Sequence, residues 1–270
     1  MSVKLVAIDM DGTLLNERGE LSPAVVESVK KARKTGAYIV ICTGRPLSGA
    51  LEQLADLDLL STDDYVISYN GSLVLNTNTW DVVLQHGLTR DDYLYFDMLA
   101  RKIGVHIHTV SRDAIYTSNR DISRYSVNEA HMVNLPLKYR TPEEIADEVT
   151  PVKLMMIDEP EILEAAIKKI PQHLFEEYTL VTSSPYYLEI LNKDASKGSA
   201  VRELAAHLGI EQEEVMAIGD AENDISMLKF AGVSVAMGNA TPEVKAAAKF
   251  EVASNQNDGV KEALERWVLQ

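Results

Sequence analysis

Short, continuous apolar runs rich in β-formers punctuate both ends of this chain, at residues 4–8, 37–42, 64–69, 215–218 and 233–237. Runs of that length without alternation predict strands buried on both faces. Helical patterns separate them. Ser22-Pro23 opens the first, with Ser22 as N-cap and Pro23 at the first helical position; Val25, Val26, Val29 and Ala32 recur at helical spacing, and Gly36 ends it. A second helix covers 47–57. Near the far end, Ser196-Lys197-Gly198 opens a helix to Leu208 with Gly209 as its stop, another follows 219–224, Thr241-Pro242 caps a third, and a run at 250–253 precedes a last helix from Gly259. Strand–helix–strand order of this kind predicts right-handed βαβ units and a parallel sheet. Asn70-Gly71 is a strong hairpin signal. With the runs at 72–75 and 81–84 it predicts a small antiparallel excursion.

Between 85 and 189 the texture changes. A helix over 89–103 leads to alternating strands at 105–110 and 114–117, then a helix at 121–133. An irregular stretch with Pro136 and Pro142 follows, then a strand at 153–158, a helix at 160–170, and strands at 179–183 and 186–191. Apart from Asp158, these strands do not end in acidic residues as the outer ones do. The expected fold is α/β: a Rossmann-like doubly wound parallel-sheet core, residues 1–84 and 190–270, with an inserted α+β domain, 85–189.

Composition narrows the function classes. With 46% hydrophobic and 25% charged residues, the 270-residue chain reads as a globular protein with ample material for a core. One cysteine, Cys42, excludes a disulfide framework and a Cys-based zinc site and fits a reducing cytosol. No secretory leader pattern opens the sequence and no apolar stretch approaches the ~20 residues of a membrane span, so a cytoplasmic location is expected. The formal net charge of −15 argues against nucleic acid and anionic membrane as partners. A small anionic substrate stays open, provided its site is locally positive.

Chemistry concentrates where the parallel strands end. The first run stops at Asp9-Met10-Asp11-Gly12-Thr13. Strand alternation would put Asp9 and Asp11 on one side, where two carboxylates repel and a hard divalent cation such as Mg²⁺ is the simplest remedy. Thr43, Lys197, Asp220, Asn223 and Asp224 fall at other strand ends or helix starts. In an open α/β sheet those positions converge on one edge, where ligands bind.

These segments, Asp9-Met10-Asp11-Gly12-Thr13, Thr43-Gly44-Arg45, Lys197-Gly198 and Gly219-Asp220-x-x-Asn223-Asp224, resemble the four ordered motifs of the haloacid dehalogenase superfamily. The insert resembles the larger cap of its Cof-type subfamily, and residues 117–123 and 155–160 are similar to segments of a bacterial sugar phosphatase of that group. The resemblance implies Mg²⁺-dependent hydrolysis of a small phosphomonoester, such as a sugar phosphate, by a monomer or homodimer. Asp9 would be the nucleophile and Asp11 the acid/base. Asp9, the Asp11 backbone carbonyl and Asp220 would hold the metal. The amides of Met10 and Gly44, with Thr43, Lys197 and Asn223, would bind phosphate, while Asp224 would support the metal or Lys197. Asp11 favours a phosphatase over a dehalogenase, which lacks that second acid. A phosphosugar mutase would use the same two aspartates, and an aspartyl-phosphate regulatory protein is the alternative of another class. The cap would select the substrate and exclude water.

Other residues carry weaker signals. His106 and His108 share a strand face but lack a nearby third ligand, so they read as insert surface. Cys42 reads as a small core residue, Met155-Met156 as core, and Arg45 as a structural residue at a helix start. Tyr116, Arg120, His131, Lys153 and Tyr187 read as ordinary surface or packing positions of the insert.

Overall fold

A computed structural model describes residues 2–270 and divides into two compact units, one of residues 2–85 and 196–270 and one of residues 86–195. In chain order the first segment holds β1 (Leu5–Asp9), α1 (Pro23–Lys34), β2 (Tyr38–Cys42), α2 (Leu51–Asp56), β3 (Tyr65–Ser68), β4 (Leu73–Asn76) and β5 (Val82–Gln85). The insert holds α3 (Arg90–Ile103), β6 (His106–Val110), β7 (Ile115–Thr117), α4 (Arg124–Met132), β8 (Leu137–Tyr139), α5 (Pro142–Glu148), β9 (Lys153–Ile157), α6 (Pro160–Ile167), α7 (Leu174–Glu177), β10 (Tyr178–Ser184) and β11 (Tyr187–Asn192). The last segment adds α8 (Lys197–His207), β12 (Val215–Gly219), α9 (Ile225–Phe230), β13 (Val233–Ala236), α10 (Pro242–Ala247), β14 (Phe250–Glu251) and α11 (Gly259–Trp267).

The first unit is built on an eight-stranded sheet in the order β14-β13-β12-β1-β2-β3-β4-β5. It is parallel from β14 to β3, and β4 and β5 add antiparallel strands at one edge. Its central strand β1 is buried at every position, as an apolar run covered on both faces must be. Asp9 stands level with Cys42, and Ile8 with Ile218, so the carboxyl ends of β1, β2 and β12 are aligned. That register brings Asp9, Thr43 and Asp220 to one edge. Ser22 caps α1 as expected, its side chain accepting from the Val25 amide.

The insert carries its own six-stranded sheet, β10-β11-β9-β6-β7-β8, antiparallel except for the β7–β8 pair. Phe96, Ile145, Leu154 and Ile190, each removed from water, lie in a core beneath one face. Burying a side chain of this size contributes roughly 1.5–3 kcal/mol. Met155 and Met156 are also fully buried.

Several expectations change here. The stretch around Pro136 and Pro142 is ordered as β8 and α5, and α5 begins with a capping box between Thr141 and Glu144; Thr141-Pro142-x-Glu144 already carried that signal. Helix α4 starts at Arg124 rather than 121, because Ser123 is its cap. The insert runs to Ala195 rather than 189, since β11 pairs with β10 as far as Asn192. His108 is not at the surface: α4 covers it, and Ser126 Oγ lies 3.1 Å from its Nδ1. Lys153 and Tyr187 are buried too. Lys153 is tied to Glu189 at 3.0 Å, and the Tyr187 hydroxyl donates to the Tyr125 carbonyl at 2.9 Å. His106 stays partly exposed with Asp158 Oδ2 2.7 Å from its Nδ1. Among the described residues no helix is long and apolar enough to cross a membrane.

Candidate active site

Strand β1 ends at Asp9 because the chain turns back on itself: the amides of Leu14 and Leu15 donate to the carbonyls of Asp9 and Met10. Gly12 makes the turn at φ +84°, and a Cβ there would stand 2.4 Å from Asp220 Oδ2. Only glycine lets the loop pass so close to that carboxylate. Thr13 Oγ1 then donates to Asp220 Oδ1 at 2.8 Å.

Lys197 is the first residue of α8. Ser196 caps the helix, its Oγ accepting from the Ser199 amide at 3.0 Å. The Lys197 side chain is buried, and its Nζ donates to Asp9 Oδ1 and, at 2.7 Å, to Asp224 Oδ1. Asp224 Oδ2 accepts from the amides of Asp220 and Ala221, both at 3.0 Å. The turn after β12 is therefore folded around one fully buried carboxylate.

The electrostatics of the cluster are strained by burial. Burial pushes the Asp9 carboxyl up against the pull of Lys197, with Asp224 adding to the rise. Burial would lower the Lys197 ammonium, but the Asp9 and Asp224 carboxylates outweigh it and hold it above its ordinary value. Asp220 is raised, by burial first and then by Asp224. One lysine among three aspartates leaves uncompensated negative charge.

A divalent cation fits this arrangement. Carboxylate oxygens of Asp9, Asp220 and Asp224 all lie within 4.8 Å of one another. Asp9 Oδ2 is buried and has no hydrogen-bond partner among the described residues. An acceptor oxygen without a donor, in an all-oxygen donor set, suits a hard cation.

Asp11 lies apart from that cluster. Its carboxylate is exposed and held by the Arg45 fork, Nε to Oδ2 at 2.9 Å and Nη2 to Oδ1 at 2.5 Å. The repulsion anticipated from strand alternation does not arise, because β1 ends at Asp9 and each aspartate has its own cation. Arg45 is accordingly more than a helix-start residue; only a long, planar, two-donor side chain makes this contact. Thr43 is buried, with Oγ1 accepting from the Arg45 amide at 3.0 Å. Gly44 lies against the Asn70 carboxamide, and Asn223 Nδ2 donates to Asn70 Oδ1 at 2.9 Å. Asp9, Met10, Thr43, Gly44, Lys197, Asp220, Asn223 and Asp224 are thus gathered at the carboxyl edge of the sheet, with Asp11 beside them on Arg45. Cys42 is fully buried and its thiol is raised by burial, so it packs rather than reacts.

In the sequence, Arg45 and Asn70 read as a structural residue and a hairpin residue without a place in the site, and Asn239 is not singled out. Asn239 Nδ2 donates to the Gly12 carbonyl at 2.7 Å. Its signal was topological, since it follows β13 at the same sheet edge. Asn70 was hidden by its resemblance to an ordinary hairpin turn.

A family model described as haloacid dehalogenase-like hydrolase matches residues 6–264. The Bacillus subtilis protein YxeH is 46% identical over 266 residues, 98% of each chain. A second Bacillus subtilis protein, 5-amino-6-(5-phospho-D-ribitylamino)uracil phosphatase YcsE, is 32% identical over 100% of this chain and 97% of its own. Among solved structures, a haloacid dehalogenase-like hydrolase from Bacteroides thetaiotaomicron superposes with a TM-score of 0.82 at 30% identity, covering 98% of this chain and 99% of that one.

Proposed function

The chain belongs to the haloacid dehalogenase-like hydrolases, and from that premise we propose that it is a phosphoric monoester hydrolase working through an aspartyl-phosphate on Asp9. The observation that carries the reading is the Asp9 carboxylate itself: buried at the end of the central strand, with Oδ1 held by Lys197 and Oδ2 lacking a donor among the described residues. Its carboxylate attacks phosphorus in line, and the P–O bond to the leaving alcohol breaks. Lys197, at the start of α8, binds phosphoryl oxygens with its ammonium and the helix dipole, and Thr43, Asn223 and the amides of Met10 and Gly44 donate to the rest.

Asp11 gives its proton to the departing alkoxide. It then takes one from the water that cleaves the aspartyl-phosphate, which returns Asp9 and releases phosphate. To do so its carboxylate must leave the fork of Arg45. Asp9, Asp220 and Asp224 are the carboxylates that would hold a divalent cation, with the Asp11 carbonyl as a further oxygen. Mg²⁺ suits such a donor set, and when bound it would draw charge from the transferring group. The insert supplies substrate choice in this reading. A phosphorylated sugar or sugar alcohol is the favoured class, in line with the phosphoribityl compound in the name of YcsE.

The test is phosphate release from a panel of sugar phosphates, nucleotides and an aryl phosphate, with and without Mg²⁺, for wild type and Asp9→Asn. Release that needs Mg²⁺ and vanishes in the variant is expected, and the rank order names the substrate class. Equal release from both proteins removes Asp9 as nucleophile.

A further inference from the structure

The turn between β3 and β4 is built in a way its hairpin role does not require. Tyr69, Asn70 and Gly71 are consecutive residues at positive φ, 50°, 55° and 96°. Side-chain-bearing residues rarely enter that region, and two in succession persist only where surrounding contacts hold them. The contacts are specific. The Tyr69 amide donates to the Arg45 carbonyl at 3.2 Å, the Asn70 amide to the Thr43 carbonyl at 3.0 Å, and the Ser72 amide to the Tyr69 carbonyl at 3.1 Å. On its other side the turn abuts the start of α8, where a Cβ on Gly71 would stand 2.1 Å from the Ser196 carbonyl oxygen and 2.9 Å from the Lys197 nitrogen. One strained turn therefore joins the Thr43–Arg45 loop to the helix start that carries Lys197.

The Asn70 side chain completes the bracket. Its Oδ1 accepts from Asn223 Nδ2 at 2.9 Å, and a Cβ on Gly44 would meet that Oδ1 at 3.0 Å and Nδ2 at 3.1 Å. Asn223 Nδ2 carries two protons, and with one taken by Asn70 the other has a fixed direction. We infer that Asn70 is a positioning residue of the phosphate site: its left-handed backbone aims its carboxamide oxygen at Asn223, fixing the Asn223 amide while spacing it from the Thr43-Gly44 loop. The inference rests on the proposed phosphatase reading, in which Asn223 donates to phosphate. It explains why the turn spans residues 69–72 and carries Tyr69 at positive φ as well, when a two-residue Asn-Gly hairpin needs that backbone only at its two central residues.

The experiment compares wild type, Asn70→Gly, Asn70→Asp, Asn223→Ala and the Asn70→Gly/Asn223→Ala double variant, by Tm and by steady-state kinetics on an aryl phosphate. Glycine relieves the left-handed backbone, so Asn70→Gly is expected to melt at or above wild type while kcat/KM falls roughly 10- to 100-fold. Asn70→Asp keeps an acceptor for Asn223 on a residue that tolerates positive φ, and its loss is expected to be smaller. Because Asn70 acts through Asn223, the double variant should be no slower than Asn223→Ala alone. Wild-type kinetics in Asn70→Gly, multiplicative losses in the double variant, or a fall in Tm alongside activity would each overturn the inference. Absence of phosphate release from wild type on every phosphomonoester would instead remove the phosphatase reading on which it stands.

Discussion

Replacing Lys197 by methionine probes the electrostatic centre of the site. Met keeps the length of the side chain and removes its charge. The ammonium lies 2.7 Å from Asp224 Oδ1 and also binds Asp9 Oδ1, with both carboxylates buried. At an effective dielectric near 20, a contact of 2.7 Å corresponds to about 6 kcal/mol of attraction. Desolvating the ions costs several kcal/mol each, so most of that attraction is offset. The variant recovers only part of the desolvation, because Asp9 and Asp224 remain buried without their cation. Breaking a buried pair in this way costs about 3–5 kcal/mol. The assay is urea unfolding in the presence of a chelator, followed by tryptophan fluorescence. Both tryptophans, Trp80 and Trp267, lie in the unit that contains Lys197, so the signal reports that unit. Lys197→Met should lose about 3–5 kcal/mol, and adding Asp224→Asn should recover part of the loss. A loss under about 1 kcal/mol, or a double variant no more stable than the single, would refute the account of Lys197 as the cation holding two buried carboxylates together.

Two further outcomes follow from the structure. His108 in the insert is held neutral by burial, then by the nearby Lys153 ammonium, with its pKa lowered from 6.5 to about 3. The unfolded chain therefore takes up the proton first; the stabilisation is complete above pH 6.5 and is lost as pH falls toward 3. Between pH 6.5 and 5 the insert should lose about 2 kcal/mol, a dependence that His108→Gln should abolish in hydrogen exchange at residues 106–110; an unchanged pH slope would assign it to other groups. Arg45→Ala removes the fork from Asp11. Both side chains are substantially exposed, so stability should change by less than about 1 kcal/mol. Because Asp11 must leave that fork to act, turnover of phosphomonoesters should not fall in Arg45→Ala. A fall of roughly 10-fold or more would instead show that the fork holds Asp11 in place for proton transfer.

Much of this protein is determined locally. The apolar runs at 4–8, 37–42 and 215–218 each fall within a residue of the central strands β1, β2 and β12, and the polar groups after them then lie at one sheet edge by topology. Ser22, Ser196 and Thr241 announce their helices because a cap is a contact within four residues. Tertiary structure decided the partners. Strand alternation placed Asp9 beside Asp11, but the chain turns after Asp9, and cations from distant segments, Lys197 and Arg45, separate the two acids. His108 reads as surface because strand periodicity does not reveal that α4 packs across that face. Asn70-Gly71 has the composition of a free hairpin, and only its long-range contacts with Thr43, Arg45, Ser196 and Asn223 make it part of the site. The dividing line is sequence separation: propensity, caps and periodicity act within a few residues, whereas the charge and hydrogen-bond partners of the site are set by packing across the whole unit.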